Sequence, residues 1–127
     1  GFGLKKGAFA TSVAHDSHNI IAVGADDNSI AAAINMIVSS KGGMSVFSDE
    51  GSEILSLPVA GIMSDMPVSA MASRYERLSE TVKSLGCTMD APYMTLSFMA
   101  LLVIPELKLS DRGLFDGKTF NHIPLFI

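Results

Sequence analysis

Tryptophan is absent from the 127 residues, cysteine occurs once, and charged residues make up only 17%. The lone Cys87 excludes an internal disulfide and a CxxC metal site. The charged fraction lies below the roughly 25% of a typical soluble domain, and the mean hydropathy is +0.37. Apolar surface on that scale is expected to face either a membrane or further protein. The longest weakly polar run, Ala91 to Ile104, falls short of the about 20 apolar residues that a spanning helix needs, and Pro92, Thr95 and Ser97 interrupt it. The net charge of −4 has the wrong sign for a nucleic-acid footprint. Neither membrane nor nucleic acid is therefore expected as a partner, and a cytoplasmic location is expected. No basic-then-apolar leader opens the chain. It starts mid-pattern at Gly1, as expected of a piece of a longer protein. Residues 1–127 read as a single domain with length enough for a core, and without repeats, linkers or low-complexity segments.

What is present alternates between strand and helix patterns. From Ala8 to Val13, Phe9, Thr11 and Val13 share one side, while the small Ala8, Ala10 and Ser12 on the other permit close approach of another element. Ile20-Ile21-Ala22-Val23 predicts a fully buried strand stopped by Gly24. Asp26, Asp27 and Asn28 offer a helix start. Ile30, Ala33, Ile34 and Ile37 follow as an apolar stripe, and Lys41-Gly42-Gly43 is the stop, with glycines for the left-handed cap. Met44 to Phe47 and Ile54 to Leu57, joined through Asp49-Glu50-Gly51-Ser52, predict a hairpin that Pro58 ends or places at an edge. Ser64-Asp65-Met66-Pro67 combines capping side chains with a first-turn proline. The helix it opens carries Val68, Met71, Ala72, Tyr75, Leu78, Val82 and Leu85 on one face and ends at Gly86. Beyond Cys87, Met94, Leu96, Phe98, Leu101 and Val103 fit a strand or an irregular buried segment. Leu114 to Ile127 reads as a tail returning Phe115, Phe120, Leu125 and Phe126 to an apolar surface. The order predicts an α+β fold: a mixed or antiparallel sheet with two main helices packed on one face, an α/β sandwich.

Chemistry concentrates between the first two strands, in Ser12-Val13-Ala14-His15-Asp16-Ser17-His18-Asn19. His15 and His18 are three apart, so on a helix or in a tight loop they are able to share a face and hold a metal with Asp16; on a strand they diverge. A histidine here whose second ring nitrogen binds Asp16 is a base tuned near neutral pH. His15, Asp16 and His18 are thus the catalytic candidates, and Ser17 and Asn19 the substrate-binding ones. The commoner use of such side chains is to satisfy one another and cap strand ends. Metal sites usually draw ligands from more than one loop, so spacing alone assigns no metal within this chain. No serine or cysteine sits in a nucleophile setting, and the H-x-E with P-C-x-x-C of zinc nucleobase deaminases is absent. Gly1-Phe2-Gly3 lacks the rest of a dinucleotide fingerprint, and Gly117-Lys118-Thr119 follows Arg112 where a phosphate loop needs glycine. Both read as turns. Cys87 reads as a small buried or helix-end residue, and the methionines as core packing.

Several of these runs, in this order, resemble one family. Gly1-Phe2-Gly3-Leu4-Lys5-Lys6-Gly7-Ala8 and Ser12 to Ile20 are similar to the C-terminal domain of bacterial and archaeal adenine deaminases. The likeness continues at Gly42-Gly43, at Leu57-Pro58-Val59-Ala60-Gly61-Ile62-Met63-Ser64-Asp65 and at Leu85-Gly86-Cys87. It extends through Pro92-Tyr93-Met94-Thr95-Leu96-Ser97-Phe98 and Val103 to Leu109, as far as Gly113-Leu114-Phe115-Asp116. The resemblance implies an amidohydrolase-superfamily enzyme of purine salvage that converts adenine and water to hypoxanthine and ammonia. It implies a metal-dependent barrel ahead of this domain, with manganese or iron activating the attacking water. It brings only the His15–Asn19 loop near an active site, and it places the metal ligands outside these residues, so the chain alone is expected to be inactive. The partners implied are that barrel, adenine as substrate of the whole enzyme, and a homo-oligomer. The alternative is a non-catalytic structural or oligomerisation module in which the loop is structural.

Overall fold

A computed structural model describes residues 1–15 and 18–126. Four strands, β1 (Ala8–Thr11), β2 (Ile21–Gly24), β3 (Gly43–Ser48) and β4 (Gly51–Ser56), form an antiparallel sheet in the order β2-β1-β3-β4. Helices α1 (Asp27–Ser40), α2 (Val68–Ser84) and α3 (Pro92–Met99) pack on it. A second antiparallel sheet of three strands follows, β5 (Leu107–Ser110), β6 (Gly113–Asp116) and β7 (Asn121–Ile123). The α+β class and the antiparallel sheet are as the sequence predicts.

The alternation read in the first strand decides the layering. Ala8 and Ala10 pack with Ala33 and Ile37 of α1. Phe9 points the other way, into a core with Leu78 and Val82 of α2 and Tyr93 and Leu96 of α3. The helices therefore cover both faces, and the expectation of two main helices on one face is corrected. Small residues on one face admit α1 closely, while the Phe9 face needs a thicker layer to enclose its ring. Phe9 meets Phe2 and Tyr93 edge-on, at centroid distances of 5.6 and 5.2 Å, geometry favoured by the ring quadrupoles. Cys87 is buried in the same core.

Helix α1 starts as its sequence predicts. The Asp26 carboxylate accepts from the Ser29 amide at 2.9 Å and from the Ser29 hydroxyl at 2.7 Å. Its end differs: Lys41 itself takes the left-handed conformation, φ 59°, and its amide bonds back into the last turn. Gly42 is needed for a second reason, since a Cβ there would lie 2.3 Å from the Gly61 Cα. The Met44–Phe47 hairpin forms with Asp49 and Glu50 in the turn. Helix α2 runs to the predicted stop at Gly86, φ +106°. At its start, however, Pro67 occupies the N-cap without a side-chain bond, and Ser64 Oγ accepts from the Met66 amide instead. Val68, placed on the apolar face, is 85% exposed; burial begins further along, at Leu78 and Val82.

Three further expectations are corrected. Among the described residues only β1 pairs with the β2 segment, which is an edge strand, and its residues are of intermediate burial. The stretch after Cys87 is the helix α3, with Pro92 in its first turn and Tyr93, Leu96 and Ser97 buried. The C-terminal stretch does not fold back as a tail: Phe115 packs with Phe120 and His122 inside the second sheet, and Phe126 is 84% exposed.

Tyr93 ties the layers together. Its hydroxyl donates to the Ser45 carbonyl at 2.9 Å, and the Ser45 hydroxyl donates to the Ala33 carbonyl at 2.7 Å. Burial pushes the Tyr93 phenol well above its ordinary pKa, so it remains a donor. Tyr93→Phe leaves the Ser45 carbonyl without this donor and is expected to cost roughly 1–3 kcal/mol in urea unfolding; an unchanged midpoint would refute the tie. The bonds from the Ser29 amide and hydroxyl hold the Asp26 carboxyl below the usual range. A depressed folded-state pKa gives stability that is present above the unfolded pKa and lost as pH falls through the folded one. Asp26→Asn, which still accepts the amide bond, is expected to flatten that acid limb in pH-dependent melting curves.

Candidate functional site

The chain between β1 and β2 is pinned from several sides. Ser12 lies just past the end of β1: its amide donates to the Gly43 carbonyl at 2.9 Å and its hydroxyl accepts from the Gly43 amide at 2.8 Å. The same hydroxyl donates to the Gly61 carbonyl, which ties the loop to the close Gly42–Gly61 crossing. The Val13 amide donates to Thr11 Oγ1 at 3.0 Å. Backbone groups that leave the sheet ladder here are thus taken up by side chains, the capping use that Ser and Thr commonly serve.

The two histidines are held differently. The His15 amide donates to the Ser97 carbonyl at 3.1 Å, and its ring stacks on Phe98, with centroids 4.5 Å apart and planes 29° from parallel. It lines an apolar hollow of about 230 Å³ with Tyr75, Tyr93 and Met94. His18 is exposed, and its Nδ1 accepts from the Ala14 amide at 3.2 Å. With Nδ1 as acceptor, the neutral ring carries its proton on Nε2. His18 and the exposed Asn19 line a different hollow of about 280 Å³, shared with Ser12, Lys41, Gly42 and Gly61. Asp16 and Ser17 lie outside the described residues.

The rings of His15 and His18 therefore line separate hollows. Among the described residues there is no group of three or more His, Cys, Asp and Glu side chains able to hold a metal ion. His122 packs edge-on against Phe115 in the second sheet. Gly117-Lys118-Thr119 is a turn, as read: the Lys118 amide donates to Asp116 Oδ1 at 2.8 Å, which holds that carboxyl below its ordinary range.

Two residues that shape the site were not singled out as such from sequence. Phe98 carries His15, and Tyr93 walls the same hollow while anchoring α3. Their one signal was the run Pro92-Tyr93-Met94-Thr95-Leu96-Ser97-Phe98 within the family resemblance.

Comparison with known proteins adds to this geometry. Residues 1–121 match the family described as the adenine deaminase C-terminal domain. An adenine deaminase of Salinibacter ruber is 57% identical over 128 residues, covering 100% of this chain and 23% of that protein. One from a Sulfurovum species is 59% identical over 124 residues, 97% of this chain and 23% of its own length. One from Archaeoglobus fulgidus is 50% identical over 125 residues, 98% of this chain and 22% of its own. The chain thus spans under a quarter of the length of these relatives.

The stack makes a spectroscopic prediction. The His15 ring protons are expected upfield in the proton NMR spectrum because they lie over the Phe98 ring. Phe98→Ala should return them to ordinary positions and speed exchange of the His15 amide; shifts that do not move would refute the stack.

Proposed function

Because the chain belongs to the adenine deaminase C-terminal domain family, we propose that it forms part of an enzyme that hydrolyses adenine to hypoxanthine and ammonia. In this reading it is one domain of a cytoplasmic purine-salvage enzyme, and it packs on a metal-dependent barrel elsewhere in the same protein. A divalent metal bound there, manganese or iron, would supply an activated water. No ligand for it is assigned to this chain.

The observation that carries the reading is the division of the loop. His15 is occupied by Phe98 and Ser97, whereas His18 and Asn19 are exposed beside a hollow. His18 offers a donor at Nε2, and the Asn19 carboxamide offers both donors and an acceptor. A purine presents ring-nitrogen acceptors and an exocyclic amine, so such a pair is suited to binding or orienting it at the mouth of a site completed by the barrel. His15 then acts as a positioning residue: its stack and its amide bond hold the segment that leads to His18. Asp16 and Ser17 keep their candidate roles as base partner and substrate contact. The structural reading of the loop is favoured by one fact, that Ala14, His15 and His18 already satisfy part of one another's and α3's hydrogen bonding.

The test uses a full-length adenine deaminase carrying this domain. His18→Ala is expected to lower adenine turnover by about tenfold or more, the worth of a strong hydrogen bond, with metal content unchanged. His15→Ala is expected to raise KM through loop displacement. Unchanged kinetics in both variants would leave the loop structural. The 127-residue chain alone is expected to release no ammonia from adenine in the presence of manganese; measurable turnover would overturn the dependence on a separate barrel.

A further inference from the structure

The second sheet raises a packing question that its own residues leave open. Cross-strand pairing puts Leu109, Leu114 and Ile123 on one face, with Leu107 beside them. None of these residues enters either core cluster among the described residues. Leu109 is 72% exposed and Leu107 52%. A small antiparallel sheet gains stability chiefly from packing its apolar face; here Leu114 and Ile123 are half-buried, while Leu107 and Leu109 on β5 stand exposed. The C-terminal half of α3 adds Phe98 and Met99, both also exposed by more than a third of their area.

These surfaces are continuous with the loop. A hollow of about 470 Å³ is lined by Asn19, Ile20 and Ile21 at the start of β2, by Met99 of α3, and by Leu102 and Leu109. β2 is an edge strand. The Ala25 amide bonds to the Gly7 carbonyl, so by antiparallel alternation Val23 and Ile21 exchange bonds with β1 while Ala22 and Gly24 turn theirs outward. Among the described residues, an unpaired backbone edge therefore borders a hollow lined by apolar and polar side chains alike. The charged side chains on the hollow are Lys108 and Asp111, one of each sign, so it does not favour a strongly charged partner.

We infer that this hollow, rimmed by Met99, Leu109 and the outer edge of β2, is the seat of the catalytic part of the same adenine deaminase chain. The inference rests on the function proposed above and names the surface through which it operates. The occupant follows from the relatives, in which this domain makes up 22–23% of a longer chain. A covalently linked partner is present at an effective concentration of about millimolar, so a modest surface of mixed polarity and balanced charge is enough to hold it. Seating at this hollow would also set the catalytic part beside Asn19, at the end of the candidate loop.

Methionine footprinting of the intact enzyme tests this. Met99 is 43% exposed in this domain by itself, so if nothing covers it, peroxide should oxidise it at a rate near that of the unfolded chain. A seated partner is expected to slow oxidation of Met99 by about tenfold or more, because interface cores are packed as densely as interiors. Leu109→Glu, at a position whose exposure tolerates charge, should restore fast oxidation of Met99. Slowing of less than that size in the wild-type enzyme overturns the assignment. So does protection that vanishes on dilution, which would point to a second copy, or protection that Leu109→Glu leaves unchanged. The readout is independent of turnover. An enzyme that deaminates adenine with Met99 accessible loses only this inference; one that protects Met99 without deaminating adenine loses only the proposed function.

Discussion

Strand β1 is completely buried along its four residues, and the two layers of the molecule are set by what alternates along it. The methyl groups of Ala8 and Ala10 allow α1 to lie close, while the Phe9 ring fills the opposite layer between Phe2 and Tyr93. A slip of one residue would drive the ring into α1 and leave a void against Tyr93, so the register is strongly specified. The hydrogen bonding alternates in step. Ser12 continues the pairing with β3 through Gly43, and the bond from Ala25 to Gly7 sets the pairing with β2. The candidate loop leaves the sheet at the end of this strand, and its origin is accordingly one of the most constrained points of the fold.

Much of this was legible because side-chain periodicity reports which faces are buried. Phe9 against Ala8 and Ala10, the Asp26 cap, the Ile30–Ile37 stripe and the hairpin turn at Asp49 all follow from local pattern and appear as read. Periodicity is silent about edges and about which helix covers which face. Ile20 to Val23 is as apolar as a central strand, yet hydropathy of side chains says nothing about whether the backbone has a second neighbour. Hence β2 reads as fully buried and lies at an edge. Likewise, the stripes of α1 and α2 each require a partner surface but do not say that the two surfaces lie on opposite sides of the same sheet.

The segment after Cys87 failed for a different reason. Met94, Leu96 and Phe98 alternate, which mimics a strand, but in α3 the buried set is Pro92, Tyr93, Leu96 and Ser97. Apolar residues on both faces of a short helix erase its amphipathic signature. One face meets Phe9 and the other remains outward, so the helix is apolar nearly all round. The same ambiguity hid the site. Nothing in the spacing of His15 and His18 reveals that Phe98, far along the chain, receives one ring while the other bonds the backbone of Ala14.

That separation changes what the loop is able to do. A pair of histidines sharing a metal would make the loop a centre in its own right; here one ring lies in an apolar stack and the other is exposed beside a hollow. An aromatic stack is worth only about 0.5–1.5 kcal/mol beyond its buried area, too little to hold a loop alone. Here it acts together with the His15 amide bond to α3, the Ser12 bonds to Gly43 and Gly61, and the Tyr93 bond that holds α3 on the sheet. Binding groups need placement to within about 0.5 Å, and such placement comes from rigid elements behind the loop rather than from the loop itself. The sandwich supplies that rigidity from β1 and α3 together as far as His15, and beyond it the Ala14 amide holds the His18 ring at Nδ1.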